Sequence, residues 1–248
     1  MNRTSKALGP LDPIAAYDQL APVFASLAAQ RRAYLDGVDA LVVSQIPTGS
    51  TSLLDVGAGD GVRSRRIAQA AGLHELTLLE PSAEMRRYWP PGARGWTMRA
   101  EDLDPIAGAF DVITCLWNVL GHIFPAAKRT QVLRQFARLL SPAGRVFVDV
   151  NHRYNAAQYG TLPTLGRMVH DKLFPNEANG DVAVAWDVSG IQCATTGHVF
   201  THQEFGRLAE AAGLAIERRY VIDYATGQQR RSSFQGHLLY ILRRPAEG

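Results

Sequence analysis

The stretch of this chain best equipped for chemistry is Asp55-Val56-Gly57-Ala58-Gly59-Asp60-Gly61. It follows a short apolar run, Ser52-Leu53-Leu54, and opens a helical pattern from Val62 to Ala71. Glycine permits a sharp turn and lets a ligand approach bare backbone, so Gly57 and Gly59 make the loop a candidate cradle. Placed after a first strand, such a loop lies at the edge where open α/β sheets bind ligands. Glu80 ends the next apolar run, nineteen positions after Gly61. A carboxylate there can accept hydrogen bonds from both hydroxyls of a ribose.

Two ligands compete for this loop. A dinucleotide asks for a third glycine where Val62 stands, so that its pyrophosphate can meet a helix N-terminus. Carboxylates repel a diphosphate and attract a cation. Asp55 before the first glycine and Asp60 inside the loop therefore favour S-adenosylmethionine, which carries an ammonium, a sulfonium and a single carboxylate. A nicotinamide oxidoreductase is the disfavoured reading.

The elements that must position these residues follow from periodicity. Residues 12–46 read as helical, with Tyr17, Leu20, Phe24 and Leu27, then Leu35, Val38, Leu41, Val42 and Ile46, at helical spacing and Pro22 breaking the first segment. Short apolar strands are predicted at 52–56, 76–79, 96–98, 110–115 and 145–150. Helices at 62–71, 83–88 and 128–140 alternate with them, the last closed by Ser141-Pro142-Ala143-Gly144. This rhythm calls for a parallel sheet covered by helices on both faces. It breaks at 151–200, a polar and Gly/Pro-rich stretch followed by a hairpin pattern, 181–188 and 191–200, around Ser189-Gly190. So long a connection reads as a functional insertion or lid. A helix at 203–212, with Thr201 as N-cap and Gly213 as C-cap, and strands at 215–224 and 237–242 close the chain.

The sequence resembles the class I S-adenosylmethionine-dependent methyltransferases of small-molecule type. The resemblance rests on Asp55 to Gly61, Leu79-Glu80-Pro81-Ser82, Ala100-Glu101-Asp102-Leu103 and Phe110-Asp111-Val112-Ile113, in order, and covers roughly Tyr17 to Val150. It implies a Rossmann-like, doubly wound α/β fold with a seven-stranded sheet, mostly parallel, whose last strand is antiparallel. It implies that Asp55, Gly57, Ala58 and Gly59 hold the methionine portion and that Glu80 clasps the ribose. Pro81 and Met85 would flank the adenine, and Ala100, Glu101 and Asp102 would meet its edge. Arg99 stands where many relatives have an aspartate, which shifts the adenine contact to Glu101. Cys115 and Leu116 would line the open side of the cofactor, Cys115 as a buried apolar filler rather than a reactive thiol. Tyr17, in Ala16-Tyr17-Asp18, would close over the cofactor.

The segment Cys115 to Ile123 follows the fourth strand, close to where the methyl would lie. Trp117, Asn118 and His122 are candidates to line an acceptor pocket, and the piece is similar to the corresponding one in glycine-methylating N-methyltransferases. His122, with Tyr17, is the candidate catalytic pair, the histidine as general base near neutral pH. His152, Arg153 and Tyr154, after the fifth strand, are further acceptor-facing candidates. The expected activity is methyl transfer to a nitrogen or oxygen of a small molecule. The alternatives are an RNA or protein methyltransferase and a non-catalytic protein that keeps the fold.

Composition bounds these readings. The 248 residues are 46% hydrophobic and 20% charged, enough for one domain over 1–248 with a sizeable core. The 26 basic and 23 acidic side chains give a net charge of +3, spread as isolated pairs such as Arg65-Arg66 and Arg230-Arg231, which speaks against a nucleic-acid footprint. No apolar run approaches a membrane span, and residues 1–30 do not read as a secretory signal. Two cysteines, Cys115 and Cys193, make neither a disulfide framework nor a zinc cluster, and the seven histidines are scattered, so no metal site is expected. A reducing cytoplasm is the expected compartment.

Overall fold

The computed structural model describes residues 12–245. Residues 1–11 and 246–248, over which the one-domain reading and part of the signal reading extend, lie outside the described residues.

Three helices open the described chain: α1 (Pro13–Leu20), α2 (Phe24–Gln30) and α3 (Arg32–Gln45). Pro22 falls in a single 3-10 turn between the first two, where its missing N–H costs least. The alternating part runs β1 (Ser52–Val56), α4 (Val62–Ala71), β2 (Glu75–Leu79), α5 (Ala83–Arg86), β3 (Arg94–Trp96), β4 (Phe110–Cys115), α6 (Ala126–Leu139) and β5 (Leu140–Val150). The insertion holds α7 (Ala156–Tyr159), α8 (Thr161–Leu173), β6 (Asp181–Val188) and β7 (Ile191–His198). The chain then forms α9 (His202–Ala211), β8 (Ala215–Ile222), β9 (Gln229–Arg230) and β10 (His237–Arg243).

The main sheet has the order β3-β2-β1-β4-β5-β10-β8-β9. Strands β1 to β5 pair in parallel, and β10 lies antiparallel between β5 and β8. The sheet is therefore mostly parallel and doubly wound, as expected, with one strand more than seven. The extra strand, β9, is two residues long and pairs only with the end of β8. Its shortness leaves no hydrophobic period to detect.

Both faces of the sheet are buried, and neighbouring residues point to opposite cores. Leu54 and Ile113 pack with Leu133, Phe136 and Phe205 under α6 and α9. Leu53 and Val112 pack with Tyr34, Val38 and Ile67 under α3 and α4. A third cluster of Leu20, Leu27, Val188 and Cys193, with Tyr17, Phe24, Trp117 and Trp186 against it, joins the first two helices to the hairpin.

Three local expectations change. The third strand is Arg94–Trp96, two residues earlier than 96–98, because its partner is the end of β2. The stretch 141–144 does not separate helix from strand: β5 starts at Leu140 and bulges between the Phe110↔Leu140 and Val112↔Arg145 pairs. The polar stretch after Val150 carries two helices that its composition did not announce. The hairpin turn is where it was placed, with Ser189 and Gly190 both at positive φ, 51° and 85°.

Candidate active site

The glycine loop takes its shape from three left-handed residues. Gly57, Gly59 and Gly61 have φ of 75°, 57° and 72°. A side chain at Gly57 would meet Val119 at 2.5 Å, and one at Gly59 would meet Met85 at 3.0 Å. The amides of Gly57 and Ala58 donate to the Leu79 carbonyl at 2.8 and 3.0 Å, which ties the loop to the end of β2. Glu80, the next residue, accepts from the Gly59 amide at 2.9 Å and from the Ser82 amide at 2.8 Å. Loop and carboxylate thus set each other's position. Burial raises the Glu80 pKa, and the two amides oppose that shift.

Asp55 sits at the base of the loop. Its carboxylate accepts from Thr114 Oγ1 on β4 at 2.6 Å and from Ser64 Oγ on α4. Burial pushes its pKa up. Helix α1 is held over the loop by Asp18, which accepts from Ser82 Oγ at 2.6 Å and from the Glu84 amide at 3.1 Å. This brings Tyr17 over the mouth.

A cleft of about 350 Å³ runs through these residues. Gly57, Ala58, Gly59, Glu80, Pro81, Met85, Ala100 and Glu101 line it, with Asp55 beneath. Tyr17, Leu116, Trp117 and His122 line the other side. Six of the expected residues lie outside this lining, among them Arg153, which is buried and pairs with Glu204 at 2.8 Å and Asp171 at 3.3 Å. Asp102 is exposed, and Cys115 is buried in the core, where desolvation raises its thiol pKa. Asn118 is buried, with its side-chain amide spanning the Asn151 N–H and the His198 carbonyl at 2.9 and 3.3 Å. His152 packs beside His202 (ring centroids 5.0 Å apart) and donates to the Ser233 carbonyl at 2.9 Å. Tyr154 donates to Asp171 at 2.7 Å.

At the far end of the cleft, backbone strain places Trp117. Trp117 and Asn118 both adopt left-handed φ, 59° and 62°. Such a conformation is costly for a bulky residue and persists only when its surroundings hold it. Here Asp149 does so: Oδ2 accepts the Trp117 amide at 3.0 Å and its backbone carbonyl accepts the Asn118 amide at 3.0 Å. The Trp117 ring then lies 5.7 Å from Phe24, centroid to centroid.

Among the described residues, His122 is the one imidazole that lines the cleft. Its Nδ1 lies 3.1 Å from the Thr196 carbonyl of β7, and its Nε2 lies 3.4 Å from the Tyr17 hydroxyl. A carbonyl can only accept, so Nδ1 carries the proton and Nε2 keeps a lone pair when the ring is neutral. Burial lowers the His122 pKa, which favours that neutral form. Trp186, from the hairpin, closes the group at 5.7 Å from Tyr17 and 6.3 Å from His122.

Two lining residues, Phe24 and Arg63, and one ring packed behind the lining, Trp186, are not marked as site residues by the sequence. Phe24 reads in the sequence only as a helix-face residue. Trp186 reaches the site from 64 residues beyond His122, through hairpin folding alone. Arg63, the second residue of α4, pairs with Asp39 at 2.7 Å through Nε, while its buried Nη2 has no partner. Its place directly after the loop was the available signal.

Fold and cleft together define a doubly wound α/β protein with a ligand cleft at the carboxyl ends of its parallel strands. The methyltransferase-domain family matches residues 26–218, and the chain belongs to that family. The chain is 30% identical over 109 residues to the glycine/sarcosine N-methyltransferase of Halorhodospira halochloris, covering 41% of this chain and 40% of that protein. It is 29% identical over 188 residues to the dTDP-3-amino-3,6-dideoxy-alpha-D-glucopyranose N,N-dimethyltransferase of Streptomyces fradiae, covering 68% of this chain and 71% of that one. The CcbJ methyltransferase of Streptomyces caelestis superposes with a TM-score of 0.67 at 16% identity, over 93% of this chain and 98% of that one. The fold and family are those of the class I S-adenosylmethionine-dependent methyltransferases.

Proposed function

We propose that this protein transfers the methyl group of S-adenosylmethionine to a nitrogen or oxygen of a small-molecule acceptor, nitrogen being the better fit. The observation that carries the reading is one continuous cleft, with the glycine loop and Glu80 along one wall and His122 along the other, its Nε2 lone pair shared, among the described residues, only with the Tyr17 hydroxyl at 3.4 Å. Both named curated relatives are N-methyltransferases, one of them acting on an amino sugar.

The residues present fit this cofactor. Gly57 and Gly59 expose backbone that any side chain would cover. The unpartnered Arg63 Nη2 suits a carboxylate. In this reading Asp55, Gly57, Ala58 and Gly59 hold the methionine portion and Arg63 its carboxylate. Glu80 holds the ribose, and Pro81, Met85, Ala100 and Glu101 hold the adenine. When bound, the cofactor supplies an electrophilic methyl on a positively charged sulfur. The chain's own work is alignment and water exclusion. Tyr17, Phe24 and Trp117 present aromatic surface, which favours a cation over bulk water. His122 Nε2 accepts the proton that an ammonium or hydroxyl acceptor must lose, and the Thr196 carbonyl then stabilises the charged ring. Tyr17, whose pKa burial raises, stays neutral and orients the imidazole.

A cleft of this size, lined by Phe24 and Trp117, suits a small acceptor better than a folded RNA or protein. Among the described residues no helix is long and apolar enough to cross a membrane. Both cysteines are free and buried, in keeping with the proposed cytoplasmic setting. The test is calorimetry with S-adenosylmethionine and S-adenosylhomocysteine, followed by label transfer from isotopic cofactor to panels of amino sugars, small amines and phenols. Binding and label on a small amine are expected. Absence of binding by both nucleosides, or label found only on RNA or protein, would overturn the proposal.

A further inference from the structure

Helix α8 is mounted with its polar side inward. The residues of α8 that turn toward the body are Thr164, which is buried, and the half-buried Met168 and Asp171. Asp171 accepts from Tyr154 at 2.7 Å, from Arg153 at 3.3 Å and from Asn179 at 3.0 Å. Leu162, Leu165, Val169 and Leu173 recur at spacings of three and four, so they share one stripe. At 100° per residue that stripe lies roughly opposite the Thr164–Asp171 side. The four are 81%, 50%, 59% and 64% exposed, and Phe174, just past the helix end, is 65% exposed. Surface helices ordinarily bury such a face.

We propose that this face is the centre of a twofold interface with a second copy of the chain, in which two α8 helices pack antiparallel. Three observations select that occupant. First, the five apolar side chains expose on the order of 400 to 500 Å², a suitable apolar centre for the ~800 Å² per partner of a standard interface. A shallow groove beside Leu165, walled by Ala156, Ala157 and Phe234, extends it. Second, the antiparallel register that sets Leu162 against Leu173 of the other copy also sets Val169 against Gly166. A side chain at Gly166 would meet nothing within 4 Å, so this position is an open notch in the stripe's edge. A notch opposite a branched residue lets two helices approach closely. Third, the charges permit this pairing. Asp171 is turned inward, and Arg167 is held over the Tyr159 ring at 4.8 Å. Lys172 alone flanks the stripe as a free long cation, and the antiparallel register keeps the two copies of it about 13 Å apart along the helix axes. A membrane-surface helix would need several basic flanking residues.

The test is light scattering of the full chain across about 1 to 100 μM, a range that brackets ordinary dimer affinities. A mass of twice the 27.1 kDa chain is expected for the wild type. The double variant Leu165→Glu/Val169→Glu is expected to run as a monomer, with dimer affinity reduced at least a hundredfold. Its circular dichroism spectrum and S-adenosylhomocysteine affinity should stay at the wild-type value, which separates loss of the interface from loss of the fold, while its melting temperature loses the concentration dependence that a dimer confers. Independently, Gly166→Cys/Val169→Cys should oxidise to a covalent dimer. A monomeric wild type throughout the range would overturn the proposal. So would a dimer unaffected by the glutamates, a monomer that co-sediments with anionic vesicles, or failure of the cysteine pair to cross-link.

Discussion

Replacing Gly57 by alanine isolates the demand that the proposed cofactor cradle makes on the chain. Two costs add. A non-glycine residue at φ 75° costs about 1 to 2 kcal/mol, because Cβ crowds the backbone in the left-handed region. The new methyl also lands 2.5 and 2.7 Å from the two γ-methyls of Val119 and 3.2 Å from its Cβ. Ordinary contact is near 3.5 Å or more, so Val119 or the loop must shift by close to 1 Å, and overpacking of that kind costs about 1 to 3 kcal/mol. The sum, about 2 to 5 kcal/mol, corresponds to a loss of about 30-fold to several thousandfold in cofactor affinity if binding needs the native loop. Adding Val119→Ala removes both γ-methyls, and with them the overpacking, but leaves the backbone cost. Calorimetry with S-adenosylhomocysteine on the wild type, both single variants and the double variant should therefore show partial rescue, leaving the double variant about tenfold weaker than Val119→Ala alone. A Gly57→Ala protein that binds within twofold of wild type, or a Val119→Ala change that rescues nothing, would refute the assigned geometry.

Other perturbations test the remaining parts of the site. His122→Asn should lower kcat by about 10² to 10⁴ with little change in cofactor affinity, as expected for loss of a general base. Because burial lowers the His122 pKa, the wild-type rate should be flat above pH 7 and fall only below the ordinary histidine range, a limb absent from the variant. Arg63→Met should weaken S-adenosylhomocysteine by about 1.5 to 3 kcal/mol, yet leave 5′-methylthioadenosine, which lacks the carboxylate, unchanged; equal losses for both would refute the role given to its Nη2. His237 is buried neutral, with its pKa pushed down to about 3 by desolvation and by the neighbouring His152. Its contribution to stability is complete above about pH 6.5 and is lost as pH falls toward 3, at about 1.4 kcal/mol per pH unit. Denaturant titrations of His237→Gln should show a pH dependence shallower by that amount between pH 6 and 4.

The alternation of strands and helices was legible in the residues, and so was the glycine loop between the first strand and its helix. Val62–Ala71 and Phe110–Cys115 appear in the structure with the boundaries that periodicity assigned. The glycines fall at positive φ because no other residue makes that turn cheaply. Thr201 caps α9 in a full capping box with Glu204, a purely local signal. The insertion's helices were not legible, since α8 carries its apolar stripe outward and its composition reads as loop.

What the linear order of residues determined by itself was therefore local: the element types, the left-handed glycines, and the charge of the loop with Glu80 one strand away. Short-range sterics and the burial of alternate residues are enough to specify these. Tertiary structure alone decided which side chains meet. It drew Trp186 and Thr196 from the hairpin onto His122, turned Trp117 into a strained conformation held by Asp149, and left Arg63 Nη2 without a partner beside the loop. It also moved His152, Tyr154 and Asn118 into structural hydrogen bonds away from the cleft lining. Those outcomes depend on contacts between residues tens of positions apart, and no local pattern encodes them.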